Sequence, residues 1–182
     1  MTIRKILHYP DKRLRVRAEP VQDFGPSFQQ LIEDMAETMY AAEGVGLAAP
    51  QIGVPLRVFA VDTAAEDEPS EFRVFANPQI LEAIGEVRWE EGCLSFPGIR
   101  EEIERAECVR VSAMDRNGKP FELWAEGLLA IAIQHELDHL NGTLIIDRVG
   151  PIRRRLIHRE MMKALEAERA SSSRSPELGL RR

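Results

Sequence analysis

The sequence predicts an α+β protein in which antiparallel and mixed β-sheets pack around one central buried helix, with a further helix at the C-terminal end. Two observations predict this class. Short segments of strand type, separated by turn residues, fill the middle of the chain. A helix that is apolar on nearly all sides then follows at Gly127–Leu140. A chain of 182 residues corresponds to one ordinary domain, which we place at residues 1–169.

The first predicted element is an amphipathic helix that opens at Gly25, Pro26 and Ser27. Its apolar residues recur at helical spacing, and Gly44 ends it. The segment after Gly44 is therefore predicted to be a loop.

Three strands are predicted in the next part of the chain, at residues 56–61, 72–76 and 80–89. We expect the last of these to be broken or bulged near Gly85. Residues 108–114 alternate in polarity, which predicts a fourth strand with Val109 and Val111 on its buried face and Cys108 on the other. Asn117 and Gly118 then predict a type I′ hairpin leading into a strand at 121–124.

The buried helix carries two histidines four residues apart, in the stretch QHELDH at 134–139. On a helix, His135 and His139 lie on one face, as two ligands of a metal ion require. Glu136 stands between them, where a carboxylate can act on a water at the metal. Because buried polar groups need partners, a metal also accounts for histidines on an apolar helix. The predicted fold is therefore built around a metal-binding helix.

The third ligand decides the chemistry, and the residues leave two choices open. A third histidine is excluded, because Gly142 fits that spacing but Ile145 stands at the ligand position. A carboxylate from the last helix is one choice, with candidates at Glu160, Glu166 and Glu168. The other is the thiolate of Cys93, which with two imidazoles suits Zn²⁺ or Fe²⁺.

Three segments of the chain resemble the signature motifs of the peptide deformylases, in the order of that family. They are GVGLAAPQ at 44–51, EGCLS at 91–95 and QHELDH at 134–139. The likeness extends from about Ile6 to about Ala167. It implies that Cys93, His135 and His139 hold one divalent metal, Fe²⁺ in the cell, with Ni²⁺, Co²⁺ or Zn²⁺ as substitutes.

The resemblance also implies the reaction, which is removal of the formyl group from the N-terminal formylmethionine of newly synthesised proteins, with release of formate. In this reaction Glu136 transfers the proton. The side-chain amide of Gln51 and the backbone N–H of Leu94 stabilise the oxyanion. Gly46 offers backbone hydrogen bonds to the peptide and Arg100 meets it further along. The methionine slot is lined by Val45, Trp89, Leu128, Ile131 and Ala132.

Two other function classes remain at this point. One is an endopeptidase with a glutamate as third ligand, which has no need of Cys93. The other is a catalytically inert binding module, which would require a broken site, and no site residue is missing from the sequence.

Composition and charge restrict the kinds of partner that the protein can bind. A net charge of −6 argues against a dedicated nucleic-acid binder. The predicted last helix, which begins at Pro151, nevertheless carries a basic cluster at Arg153, Arg154, Arg155 and Arg159, and the resemblance implies that it contacts the ribosome.

We expect a cytoplasmic protein with no membrane contact, because the sequence shows neither a spanning segment nor an export signal. A disulfide between Cys93 and Cys108 is not expected in that compartment. Residues 170–182 lack any core-forming pattern and are predicted to be a disordered tail.

Overall fold

The computed structural model describes residues 2–65 and 68–172, and these form an α+β fold with antiparallel sheets. The helices are α1 (Pro26–Ala41), α2 (Gly127–Leu140) and α3 (Pro151–Ser172). The strands are β1 (Gly46–Ala48), β2 (Val58–Val61), β3 (Arg73–Ile84), β4 (Val87–Gly92), β5 (Arg100–Arg105), β6 (Cys108–Met114) and β7 (Pro120–Glu126). Short 3₁₀ turns occur at Lys12–Arg15, Ala49–Ile52 and Ile145–Asp147.

The strands form two sheets. The larger has the order β1-β2-β3-β6-β7, and the smaller is the hairpin of β4 and β5. All paired strands run antiparallel. The predicted fold class is thereby confirmed, with α2 as the buried helix and α3 at the C-terminal end.

The larger sheet is covered by a helix on each side at β2. Phe59 faces the cluster that contains Ile133 and Leu140 of α2. Val58 faces the cluster that contains Ile32 and Met35 of α1. Because β2 is buried on both faces, it lacks the alternation of a half-buried strand. This packing holds α2 rigidly under the sheet.

The predicted starts of all three helices are confirmed, but one strand prediction needs correction. The chain continues as one strand through Asn77, where we predicted a gap. Asn77 adopts a positive φ of 52° within this strand. Its side chain accepts a hydrogen bond from the N–H of Val21 at 2.8 Å and donates one to the carbonyl of Val21 at 2.9 Å. The predicted break near Gly85 is confirmed, because β3 ends at Ile84 and β4 begins at Val87, and irregular pairing also occurs earlier, after Ala76 and after Ile80.

The hairpin between β6 and β7 is real, but it is not of type I′. That turn needs positive φ at both central residues, and only Gly118 has it, with φ 77°. The carboxylate of Asp115 instead accepts hydrogen bonds from the N–H groups of Asn117 and Lys119, at 2.8 and 2.9 Å. This side-chain cap replaces the backbone geometry that the Asn-Gly pair predicts. As predicted, Val109 and Val111 are buried and Cys108 is not.

Helix α3 packs through one part of its apolar surface. Ile157 and Met161 are buried, whereas Ile152 is 77% exposed and Leu156 is 39% exposed. The helix continues through Ser172, so residues 170–172 are helical, and the remainder of the predicted tail lies outside the described residues. No described helix is long and apolar enough to cross a membrane. Both cysteines are free thiols.

We predict that Gly142→Ala destabilises the fold far more than Gly98→Ala. Both glycines have φ above 70°, which costs alanine on the order of 1 kcal/mol. An added Cβ at Gly142 would also lie 2.4 Å from the carbonyl oxygen of Arg15, while at Gly98 it meets nothing within 4 Å. Urea unfolding should therefore show a loss of about 3 kcal/mol or more at Gly142. Equal losses at both positions would contradict the backbone clash.

Candidate metal centre

Three ligand atoms meet where the loop after β4 passes α2. His135 and His139 are buried one turn apart on α2, with ring centroids 5.1 Å from each other. The Sγ of Cys93 lies 3.3 Å from Nε2 of His139. The ligand atoms of all three residues lie within 4.8 Å of one another.

This geometry and donor set fit a divalent metal ion. Metal–ligand bonds of about 2.0–2.3 Å in a tetrahedral site separate neighbouring ligand atoms by roughly 3–4 Å. One thiolate and two imidazoles form a good ligand set for Fe²⁺ or Zn²⁺, and three protein ligands leave a position for water or substrate. The residues therefore form a metal site of catalytic type.

The loop that carries Cys93 is anchored at several points. The N–H of Phe96 donates to the carbonyl of Cys93 at 2.8 Å, and the N–H of Tyr9 donates to the carbonyl of Ser95 at 3.0 Å. The buried ring of Phe96 stacks on Tyr9, with centroids 5.0 Å apart. The thiol is therefore held toward α2 by the packing of the N-terminal segment.

Glu91 orients His135, a role that the sequence reading missed. Its Oε2 lies 2.7 Å from Nδ1 of His135, and Arg105 donates to both carboxylate oxygens at 2.7 and 2.9 Å. Burial raises the pKa of Glu91, but the hydrogen bonds from Arg105 and His135 outweigh it and lower the pKa to about 2. Because an ionised carboxylate only accepts, Nδ1 carries the proton and Nε2 is left to bind the metal. The sequence did contain a signal for this role. Side chains two residues apart in an extended chain point to the same face, and Glu91 stands two residues before Cys93.

Glu136 lies in the cleft beside the ligands. It is buried, and its Oε2 has no hydrogen-bond partner in the described part of the chain. A Cβ added at Gly46 would lie 2.5 Å from its Oε1, so only glycine at that position leaves room for this carboxylate. Burial raises the pKa of Glu136 to about 7, and a bound cation would lower this pKa again.

Two hydrogen-bond donors lie close to the ligands. The N–H of Ala48 donates to Oε1 of Gln51 at 2.8 Å, and this bond turns the amide nitrogen toward the site. That nitrogen is 3.2 Å from Oγ of Ser95 and 3.8 Å from Sγ of Cys93. The N–H of Leu94 makes no hydrogen bond to any described residue. Both groups thus lie next to Cys93, Gln51 through its amide nitrogen and Leu94 as the following residue.

The predicted substrate residues line the same cleft, which has a volume of about 640 Å³. Ile131 and Ala132 are buried at its base, and the rim is more open, with Trp89 and Leu128 each 38% exposed. The structure brings all the predicted residues to this one cleft, namely Val45, Gly46, Gln51, Trp89, Leu94, Arg100, Leu128, Ile131, Ala132 and Glu136.

Two of the three glutamates proposed as alternative third ligands, Glu160 and Glu166, lie elsewhere, and the side chain of Glu168 lies outside the described residues. Glu160 is exposed on α3, where its Oε1 is 3.7 Å from Arg153. Glu166 is also exposed. Among the described residues, only Cys93 lies with the two histidines. The endopeptidase interpretation requires a glutamate as the third ligand, and no described glutamate lies at that position.

We predict that Cys93→Ser lowers metal affinity at least about tenfold, because a hydroxyl is a far poorer ligand than a thiolate at neutral pH. Metal content after dialysis against a chelator measures the loss. Cys108→Ser removes the other thiol and should keep full occupancy. Full occupancy in Cys93→Ser, combined with loss in Glu160→Gln, would contradict the thiolate assignment.

Comparisons with known proteins agree with this site. A family model described as "Polypeptide deformylase" matches residues 3–155. A curated peptide deformylase of Chromobacterium violaceum is 52% identical over 163 residues, covering 90% of this chain and 96% of the relative.

Solved structures give the same result. The peptide deformylase of Legionella pneumophila superposes with a TM-score of 0.87 at 49% identity, covering 96% of this chain and 100% of that one. That of Ehrlichia chaffeensis in complex with actinonin gives 0.86 at 36% identity, covering 90% and 98%. The matching motifs, the Cys-His-His site and these similarities together show that the chain belongs to the peptide deformylase family.

Proposed function

We propose that this chain removes the formyl group from N-formylmethionyl nascent peptides by metal-assisted hydrolysis, with Glu136 as the proton-transfer group. The observation that carries this proposal is the position of one buried carboxylate, whose Oε2 has no hydrogen-bond partner among the described residues, beside three metal ligands in a cleft with an apolar base. Water adds to the formyl carbon, and the bond between that carbon and the methionine nitrogen breaks. The products are formate and a free amine.

The metal that Cys93, His135 and His139 would hold supplies a water of lowered pKa and polarises the formyl oxygen. We propose Fe²⁺ as the metal in the cell, with Ni²⁺, Co²⁺ or Zn²⁺ able to substitute. The mixed thiolate and imidazole ligands support this set without selecting one member. Metal analysis of protein purified without oxygen, with a formate-release assay on the same sample, identifies the active ion.

Glu136 would take a proton from the attacking water and return it to the departing amine. Oε2 is free for this exchange, and burial keeps competing water away from the carboxylate. Gly46 supports the role, because its missing side chain lets the carboxylate reach the cleft.

Gln51 and Leu94 would bind the oxygen that becomes negative during the reaction. Preorganised donors of this kind stabilise a transition state without reorganising. Gln51 is suited to the role because Ala48 holds its amide in place, and Leu94 because its N–H is free. The two donors come from different elements, Gln51 from the 3₁₀ turn Ala49–Ile52 and Leu94 from the loop after β4.

The apolar base of the cleft would receive the methionine side chain, with Ile131 and Ala132 beneath it and Val45, Trp89 and Leu128 around it. Gly46 lies on β1, at the edge of the larger sheet, so its backbone can pair with an extended peptide. Arg100 lies at the rim, 3.6 Å from Glu90, where the following residues of the peptide would pass.

We further propose that the protein acts in the cytoplasm, where nascent chains are made, and contacts the ribosome through α3. The structure divides the predicted cluster of four arginines. Arg153 binds Glu101, and Arg154 donates to the carbonyl of Ile146. Arg155 and Arg159 are exposed, have no ion pair with any described residue, and lie one turn apart.

Ile152, Arg155, Leu156 and Arg159 are all exposed and follow helical spacing, so they form one stripe on the exposed surface of α3. Two exposed guanidinium groups that form no ion pair with any described residue suit contacts with phosphates of ribosomal RNA.

We predict that Glu136→Gln keeps the metal but lowers formate release from a formyl-Met peptide on the order of 10²-fold or more. The substitution preserves shape and removes the base. Assays on samples of measured metal content separate lost chemistry from lost metal, and Glu160→Gln on the exposed side of α3 is the control. Near-normal turnover in metal-loaded Glu136→Gln would refute the assignment.

We predict that replacing Arg155 and Arg159 with glutamine weakens salt-sensitive co-sedimentation with ribosomes and leaves cleavage of a free formyl-Met peptide unchanged. Replacing Arg13 and Arg73 removes the same charge from other surfaces and should leave sedimentation as in the unmodified chain. Equal ribosome association of both double variants at low salt would remove α3 from the contact.

A further inference from the structure

A continuous series of ion pairs leads from the metal ligand His135 through Glu91, Arg105 and Asp138 to Arg148. Arg105, at the end of β5, binds Glu91 through Nε and Nη2 and binds Asp138 Oδ2 through Nη1 at 2.7 Å. Asp138 in turn accepts two bonds from Arg148, one of them from Nε at 2.9 Å. Arg148 directly follows the 3₁₀ turn Ile145–Asp147, so this series joins three separate elements to α2.

The series is balanced in charge and becomes more exposed toward its outer end. It contains two carboxylates and two guanidinium groups. The side chains of Glu91 and Arg105 are almost completely buried, and that of Asp138 is 12% exposed. Arg148 is 43% exposed and lines a cavity of about 530 Å³ on the back of α2. A buried charge that loses its partner is costly, so each member depends on the next.

The geometry of Arg105 transmits this dependence. A guanidinium group is planar, and its donors are fixed in direction. One edge of Arg105 is occupied by Glu91, and Nη1 by Asp138. The two carboxylates together therefore set the plane of Arg105, which fixes the Glu91 oxygen that orients His135.

We infer that Arg148 and Asp138 are positioning residues for the metal, acting on His135 through Arg105 and Glu91. The inference rests on the metal site and not on the reaction proposed above. Without Arg148, Asp138 keeps only Arg105 as a partner and draws it away from Glu91. His135 then loses its fixed orientation, although neither Arg148 nor Asp138 contacts the metal ligands through its side chain.

Metal affinity and the spectrum of the cobalt-substituted protein test this inference. Direct partners of a ligand typically change metal affinity 10–100-fold. Since Asp138 and Arg148 act two and three steps beyond that direct partner, Glu91, we expect Asp138→Asn to weaken Co²⁺ binding about tenfold. Arg148→Gln should weaken it about threefold, and Arg148→Lys should lie between Arg148→Gln and the unmodified chain. The visible bands that report thiolate and imidazole geometry should shift in the same order.

Arg116→Gln is the matched control, because Arg116 is 40% exposed and also binds a carboxylate, that of Glu33. It should leave Co²⁺ affinity and the spectrum unchanged. If Asp138→Asn and Arg148→Gln lower only the unfolding temperature of the metal-free protein, the series is merely structural and the inference fails. If Asp138→Asn does not fold, the two Arg148 variants decide the question. Neither readout uses formate release, so a failure of the proposed function would not mimic either result.

Discussion

The burial of polar side chains on α2 is the constraint on which this structure depends. His135, Glu136, Asp138 and His139 are all buried on a helix that is otherwise apolar. Buried polar groups without partners cost several kcal/mol each, in order-of-magnitude terms. The surrounding elements therefore have to supply partners from outside the helix, and those partners define both the metal site and the packing around it.

Each neighbouring element meets this requirement in a different way. The smaller sheet brings Glu91 and Arg105, one from each strand, against the same side of α2. The loop after β4 brings Cys93 to the histidines. On strand β1, Gly46 has no side chain, and this leaves space for Glu136. The cleft is therefore the region that remains between β1 and β4 once both have been placed against α2.

The carboxylates on the two sides of the metal site differ in their hydrogen bonding and in their pKa. On the cleft side, Glu136 has an unpaired oxygen and a raised pKa, as expected of a group that exchanges protons. On the far side, Asp138 is fully paired, and the pKa of Glu91 is held low by Arg105 and His135. Neighbouring carboxylates thus differ in hydrogen bonding because of their surroundings, and this difference supports the roles proposed for them, one reactive and the others orienting.

The sequence by itself determined the features that follow local rules. Helical spacing predicted α1 and α2 and placed His135 and His139 on one face, and the family motifs indicated Cys93 and Glu136. Only the tertiary structure decided the role of Glu91, which lies 44 positions from His135, and that of Arg105, which lies 33 positions from Asp138. It also decided which side of α3 is buried, because apolar residues occur on more than one side of that helix. The physical reason is that periodicity and turn chemistry act within a few residues, whereas these partnerships depend on how separate elements pack around α2.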